Sequence, residues 1–170
     1  MIAFRPITDA DLPFLRELYA STREAEMAVV PWSPEEKIAF VAMQFEAQHS
    51  FYREQFPNAR LDLILEDGEP IGRLYLDRRD DELRLIDIAL VPSCRNRGIG
   101  GALMRDVLDE AAAAGRSVRI HVEHNNPAMH LYDRLGFRKL EEQGPYWLME
   151  WRPAAVAEGA PRTAASGEAP

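Results

Sequence analysis

The chain reads as a single α/β (α+β) domain. The expected core is a mixed, mostly antiparallel sheet of about six to seven strands with about four helices, in the order β-α-α-β-β-β-α-β-α-β-β. Three observations predict this. Two stretches of helical period come early, and three of strand period follow them directly. A glycine-rich turn, "RNRGIGG", then joins a strand to an amphipathic helix. A short helical stretch and an aromatic strand pair close the folded part.

Each element has its own signal. Residues 2–5 form a short first strand. Thr8 or Asp9 caps a helix with Leu12, Leu15, Leu18 and Tyr19 on one stripe. "AEMAVVPW" (25–32) reads as a loop. "SPEE" supplies Ser33 as N-cap, Pro34 at the first helical position and Glu36 three residues after the cap, a capping box. The helix it opens runs toward Phe56, with Ile38, Val41, Phe45 and Phe51 as apolar positions. "RLDLILED" alternates and ends at Asp67-Gly68, a hairpin signal. "PIGRLYLDR" returns, and "DDELRLIDIALV" (80–91) grows more apolar toward its end, as a central strand does. After the glycine turn, Ile99, Leu103, Met104, Val107, Leu108 and Ala111 make one helix face, which Gly115 ends. "SVRIHVEH" (117–124) is a strand. Asn126 and Pro127 start a short helix carrying Ala128, Leu131, Tyr132 and Leu135, stopped by Gly136. "FRKLEE" and "YWLMEW" form a last antiparallel pair around Gly144. The domain thus covers residues 1–152. From Pro153 the chain is Ala, Pro, Gly, Ser and Glu without an aromatic residue, and residues 153–170 are expected to be a disordered tail.

Bulk properties exclude several function classes. With 170 residues the chain is long enough to bury a core without staples. A net charge of -8 argues against general nucleic-acid binding, which needs a basic surface. Cys94 is the only cysteine, so neither an intrachain disulfide nor a cysteine-based zinc site can form. No basic stretch followed by an apolar core opens the chain, and no apolar run approaches the ~20 residues that span a membrane. A cytoplasmic protein with no membrane or nucleic-acid partner is the expectation.

The glycine turn points to an anion. A helix N-terminus offers unpaired N–H groups and the positive end of the helix dipole, and phosphate satisfies both. Gly98, Gly100 and Gly101 let a ligand approach the backbone, and Arg95 and Arg97 can add charge-assisted hydrogen bonds. A Walker A loop needs Gly-Lys-Ser/Thr, which is absent. The Rossmann fingerprint needs a third glycine where Leu103 stands, and it belongs in a first βαβ unit rather than past mid-chain.

"RNRGIG" instead fits Arg/Gln-x-x-Gly-x-Gly/Ala, and "NNPAMHLYDRLGF" (125–137) fits Asn-x-x-Ala-x-x-Leu-Tyr-x-x-x-Gly-Phe. At this spacing the two motifs closely resemble the GCN5-related N-acetyltransferases, the GNAT superfamily. The resemblance extends from Ile2 to Trp151. It implies acetyl-CoA as co-substrate, with its pyrophosphate held at Arg95, Asn96, Arg97, Gly98, Ile99, Gly100 and Gly101. It implies backbone contacts from Ile88, Ala89 and Leu90 to the pantetheine arm, and Asn125 beside that arm. Tyr132 would lie near the thioester sulfur as general acid. The strand ending at Val91 and the one starting near Ser117 would splay apart to admit the arm.

The chemistry is compatible. An amine must be neutral to attack, yet a lysine-type amine has pKa ≈ 10.4, so a base must take its proton. A tyrosine hydroxyl can protonate the leaving thiolate, and a backbone N–H can receive charge on the carbonyl oxygen. Tyr132 also sits on the apolar face of a short helix, where tyrosine is usually core. Asp87 lies inside the apolar "LIDIALV" and is either a base facing the acceptor cleft or an aspartate paired with an arginine or a backbone N–H. Glu123 is a second candidate base, or an exposed strand-end glutamate.

The amine acceptor, a small molecule or a peptide, is the least legible part. By the resemblance it would meet the loop between the first two helices and the second helix. That region carries Glu24, Glu26, Trp32, Gln44, Gln48, His49 and Tyr52, and of these Glu24, Trp32, Gln48 and Tyr52 are the expected acceptor contacts. Acidic and aromatic groups suit a cationic amine. Equally they describe a solvated helix face. His121 and Glu123 share one strand face and His124 takes the other, so no metal site is expected there. "YWLMEW" could form a homodimer contact or belong to the core. Two further classes remain open: a non-catalytic acyl-CoA-binding or sensing module on the same fold, and a nucleotide-binding domain of another kind.

Overall fold

The structure, a computed structural model, describes residues 1–154. The expected tail lies almost wholly outside the described residues. Seven strands form one sheet in the order β1-β2-β3-β4-β5-β7-β6. They are β1 (Ile2–Pro6), β2 (Arg60–Glu66), β3 (Glu69–Arg78), β4 (Glu82–Leu90), β5 (Ser117–Glu123), β6 (Arg138–Gln143) and β7 (Tyr146–Trp151). Four helices cover its faces: α1 (Leu12–Ala28), α2 (Pro34–Gln55), α3 (Ile99–Ala114) and α4 (Met129–Leu135). Among the described residues, no helix is long and apolar enough to cross a membrane.

Local signals act where the sequence places them. Ser33 Oγ accepts from the Glu36 amide at 3.2 Å, and Glu36 Oε2 accepts from the Ser33 amide at 2.9 Å, closing the capping box that starts α2. Asp67 and Gly68 both adopt positive φ, the turn that matches the twist of a two-residue hairpin. The segment 25–32 differs from its expected loop. α1 continues to Ala28, because Ala25, Glu26, Met27 and Ala28 are all good helix formers and Arg23 pairs with Glu26 one turn on at 2.9 Å. On α2 the buried stripe is Val41, Phe45 and His49. Ile38 and Phe51 are exposed, so they do not serve the core as expected.

Two cores lie on opposite faces of the sheet. One packs α3 and α4 on Leu74, Leu76, Leu83, Leu85, Val118 and Ile120. The other packs α1 and α2 on Leu63 through Leu15, Tyr19, Val41 and Phe45. Strand alternation therefore turns Leu74 and Leu76 toward α3 and α4, and Arg73 and Tyr75 toward α1 and α2. β7 lies inside the sheet between β5 and β6, with Met149 and Glu150 buried, so its edges are already used.

The parting of β4 from β5 positions the site. Among the described residues these are the only parallel neighbours in the sheet, and they pair only from Glu82↔Ser117 to Leu85↔Ile120. Beyond that point β4 runs on to Leu90 and β5 to Glu123 without pairing to each other. A bulge sits at the branch: Leu76 pairs with Leu85 and Tyr75 with Asp87, leaving Ile86 between them without a partner. A bulge bends and twists its strand, which carries β4 away from β5.

Candidate active site

The glycine turn lies at the end of the parted β4. After Leu90 a 3-10 turn (Pro92–Cys94) leads into Asn96 at φ 59° and Gly98 at φ 80°. The left-handed backbone at Gly98 reverses the chain into α3, a conformation glycine adopts without strain. The Ala102 amide is the first to close back, onto the Gly98 carbonyl at 3.1 Å, so earlier amides point out of the helix end. A Cβ added at Gly100 would find nothing nearer than Leu90 Cδ1 at 3.9 Å, and one at Gly101 nothing nearer than 3.6 Å. The protein's own packing does not require glycine at either place. Their bare backbone leaves an open cradle, which fits the pyrophosphate of coenzyme A.

The two arginines of the turn both have partners within the chain. Arg95 Nε donates to the Leu90 carbonyl and Nη2 to Ser21 Oγ, both at 2.9 Å. It pins the turn between the end of β4 and α1. Arg97 pairs with Glu66 at 2.9 Å and donates to Cys94 Sγ at 3.6 Å. Ile88, Ala89 and Leu90 pair with β3 on one side and leave the edge toward β5 without sheet partners.

Tyr132 and Asp87 come from opposite faces of the sheet. Tyr132 is 3% exposed, in the core of α3 and α4, with its ring edge-on to Phe137 at 5.5 Å. Its position follows from α4, which starts at a turn where Asn126 Oδ1 accepts from the Ala128 amide and stops at Gly136. Burial, and then the charge of Asp87, push the Tyr132 hydroxyl pKa well above the ordinary phenol value, so it stays protonated. Asp87 faces α1 and α2. Arg73 Nε donates to Asp87 Oδ2 at 2.6 Å, Arg73 Nη2 also reaches that carboxylate, and Nη2 donates to Gln48 Oε1 of α2 at 2.8 Å. The same guanidinium lies 4.8 Å over the Tyr75 ring, and Tyr52 stands edge-on to Tyr75 at 6.1 Å. Burial, followed by Asp87, also raises the Tyr52 hydroxyl.

A cavity of about 420 Å³ is lined by Arg23 and Glu26 of α1, by Glu123 at the end of β5, and by His124, Asn125 and Pro145. Arg23 pairs with Glu26 at 2.9 Å and with Glu123 at 3.0 Å, and its Nε donates to Tyr19 Oη at 3.2 Å. Two carboxylates against one guanidinium leave the wall acidic. Glu123 is therefore half-buried and paired rather than a free strand-end glutamate.

The expected acceptor contacts divide. Gln48 and Tyr52 stand in the cluster around Asp87. Glu24 is exposed on α1, and Trp32 packs edge-on to Phe40 at 5.0 Å near the start of α2. Sequence reading missed Arg23, Arg73, Tyr75 and Pro145. Arg23 carries no signal beyond an ordinary helix-surface pair. Arg73 had one: like Asp87, it is a charge set within an apolar strand run.

A gap between parallel strands, ending at an amide cradle, suits a long donor tipped with an anion. Residues 13–137 match the acetyltransferase (GNAT) family. The chain belongs to that family. It is 30% identical over 166 residues to the histone acetyltransferase MCC1 of Arabidopsis thaliana, covering 87% of this chain and 64% of that protein. It is also 30% identical over 76 residues to the UPF0157 protein YqkA of Bacillus subtilis (strain 168), covering 45% of this chain and 22% of that one. The chain thus spans less than two thirds of either relative. Among solved structures, PaiA N-acetyltransferase of Thermoplasma acidophilum in complex with coenzyme A superposes with a TM-score of 0.66 at 19% identity, over 89% of this chain and 99% of that one. The ribosomal-protein-S18-alanine N-acetyltransferase of Escherichia coli gives 0.59 at 20% identity, over 94% and 99%. At these identities the likeness is one of fold.

Proposed function

We propose that the chain moves an acetyl group from acetyl-CoA to a primary amine by direct attack. One observation carries this reading: Asp87 lies on β4 past its last pair with β5 and faces α1 and α2, while Tyr132 belongs to the core on the opposite face of the sheet. An acid and a base placed on opposite faces can serve a donor held in the gap and an acceptor entering from the α1 and α2 side.

The backbone amides from Gly98 to Gly101 bind the pyrophosphate, and the free edge of Ile88–Leu90 lines the pantetheine arm. Acetyl-CoA supplies the activated acetyl group. Asp87 takes the proton from the attacking nitrogen, and a free N–H of the β4 edge receives the charge on the carbonyl oxygen. Tyr132 gives its hydroxyl proton to the departing sulfur. The acidic cavity of Glu26 and Glu123 orients a cationic amine, with Asn125 at its rim. Much of the rate then comes from holding the two substrates together.

The test follows thiol release with acetyl-CoA over a panel of amines: diamines, amino acids, aminoglycosides, a free peptide N-terminus and a lysine-bearing peptide. The last arm is included because one relative is named a histone acetyltransferase. Turnover of any amine, abolished in Asp87→Asn, supports the reading. Tight binding of acetyl-CoA without turnover of any amine would make the chain an acyl-CoA-binding module instead.

A further inference from the structure

Arg73 is the only buried arginine or lysine among the described residues, 3% exposed. It sits on β3 opposite Ala89, two pairs along from the Tyr75↔Asp87 pair and on the same face of the sheet. Its fork grips the Asp87 carboxylate through Nε and Nη2, Gln48 Oε1 holds Nη2 from α2, and the Tyr75 ring underlies the plane. Arg73 Nη1 and Tyr75 Oη are buried and have no hydrogen-bond partner. Fold stability does not account for this arrangement. Removing two charges from water costs about as much as their attraction returns, and a well-packed apolar pair often serves a fold equally well. Leaving two polar atoms unpaired adds to that cost. The cluster lies beside the bulge at Ile86, where β4 turns away from β5, so its cost falls at the one place where the direction of a carboxylate matters.

We propose that Arg73 is the positioning residue of this site: braced by Gln48 and the Tyr75 ring, its guanidinium holds the Asp87 carboxylate in one direction. The inference rests on Asp87 as the acceptor of the amine proton. Arg73 itself touches neither donor nor acceptor. It supplies two separable things, a charge and a direction. Lysine can supply the charge but not the planar two-point grip, and glutamine supplies neither.

The experiment follows thiol release by the full chain for wild type, Arg73→Gln and Arg73→Lys, and separates kcat from KM for acetyl-CoA. In Arg73→Gln the Asp87 carboxylate loses both its cation and its two-point hold. kcat then falls about tenfold or more, with KM for acetyl-CoA unchanged. Arg73→Lys restores the charge without the grip, so kcat recovers in part and stays several-fold below wild type. Wild-type kcat in Arg73→Gln overturns the proposal, as does a loss that lies in KM for acetyl-CoA rather than in kcat, or full wild-type kcat in Arg73→Lys. If Arg73→Gln does not fold by circular dichroism, Arg73→Lys and its kcat decide alone. Wild-type turnover in Asp87→Asn is a different failure: the proton acceptor is then misassigned, and Arg73 loses its role with it.

Discussion

Gly72 on β3 lies opposite Leu90 on β4, so close to the preceding peptide that a Cβ on Gly72 would stand 2.2 Å from the Ala89 carbonyl oxygen. The clash is with backbone, which cannot rotate away. Ala89 belongs to the β4 edge that lines the gap. Gly72→Ala must therefore push β4 outward. Overpacking of this kind costs about 1–3 kcal/mol. Urea unfolding of the variant will show that loss, and its affinity for coenzyme A will fall with it. A variant of wild-type stability would mean that the two strands have slack.

The cradle at the start of α3 can be tested apart from the fold. An aspartate in the first helical turn suits the helix dipole, yet it repels a pyrophosphate at the same amides. Gly100→Asp should keep or raise the melting temperature of the free protein. In wild type, coenzyme A at 100 times its Kd adds ≈ 2.7 kcal/mol, which for a chain of this size is roughly 5–11 °C. The variant should lose that rise. ATP or NADH producing the larger rise in wild type would assign the cradle to another ligand.

Tyr132→Phe removes one hydroxyl from a buried ring that packs on Phe137. The core contact persists, so stability changes little. Loss of a general acid lowers turnover by about 10²-fold or more. The thermal rise with coenzyme A should remain. Full activity in the variant would return Tyr132 to a packing role.

Acid stability should depend on Asp11. Hydrogen bonds from Arg5 at 2.8 Å, and then from the Thr8 amide, outweigh burial and lower its carboxyl from 3.8 to about 2. A lowered pKa in the folded state stabilises above the unfolded value, and the stabilisation fades as pH falls through the folded value. Asp11→Asn should therefore be less stable than wild type near neutral pH. That difference should shrink between pH 3.8 and about 2, which unfolding curves at both ends will measure. A difference that persists unchanged at the acid end would mean that shape, rather than charge, is what Asp11 supplies.

Much of the fold was legible because its causes are local. Ser33 and Glu36 close their capping box within one turn, and Asp67-Gly68 reverses the chain by its own backbone preference. The glycine turn and the Asn125-to-Phe137 motif identified the family through short-range spacing. The site was legible only as a set of candidates. Asp87 read equally as a base or as a paired aspartate; the structure pairs it with Arg73, at a point of β4 past the last pair with β5. Glu123 read as exposed, but Arg23 reaches it from 100 residues away. Gln48 read as an acceptor contact, and it braces Arg73.

What the sequence by itself determined, then, was the alternation of elements, their caps and turns, and the bare backbone at Gly98, Gly100 and Gly101. These depend on residues within a few positions of one another. Only the tertiary structure decided where β4 and β5 stop pairing, which face Asp87 takes, and which arginine holds it. Those facts depend on strand register and on side chains far apart in the chain, and a single bulge at Ile86 resets both.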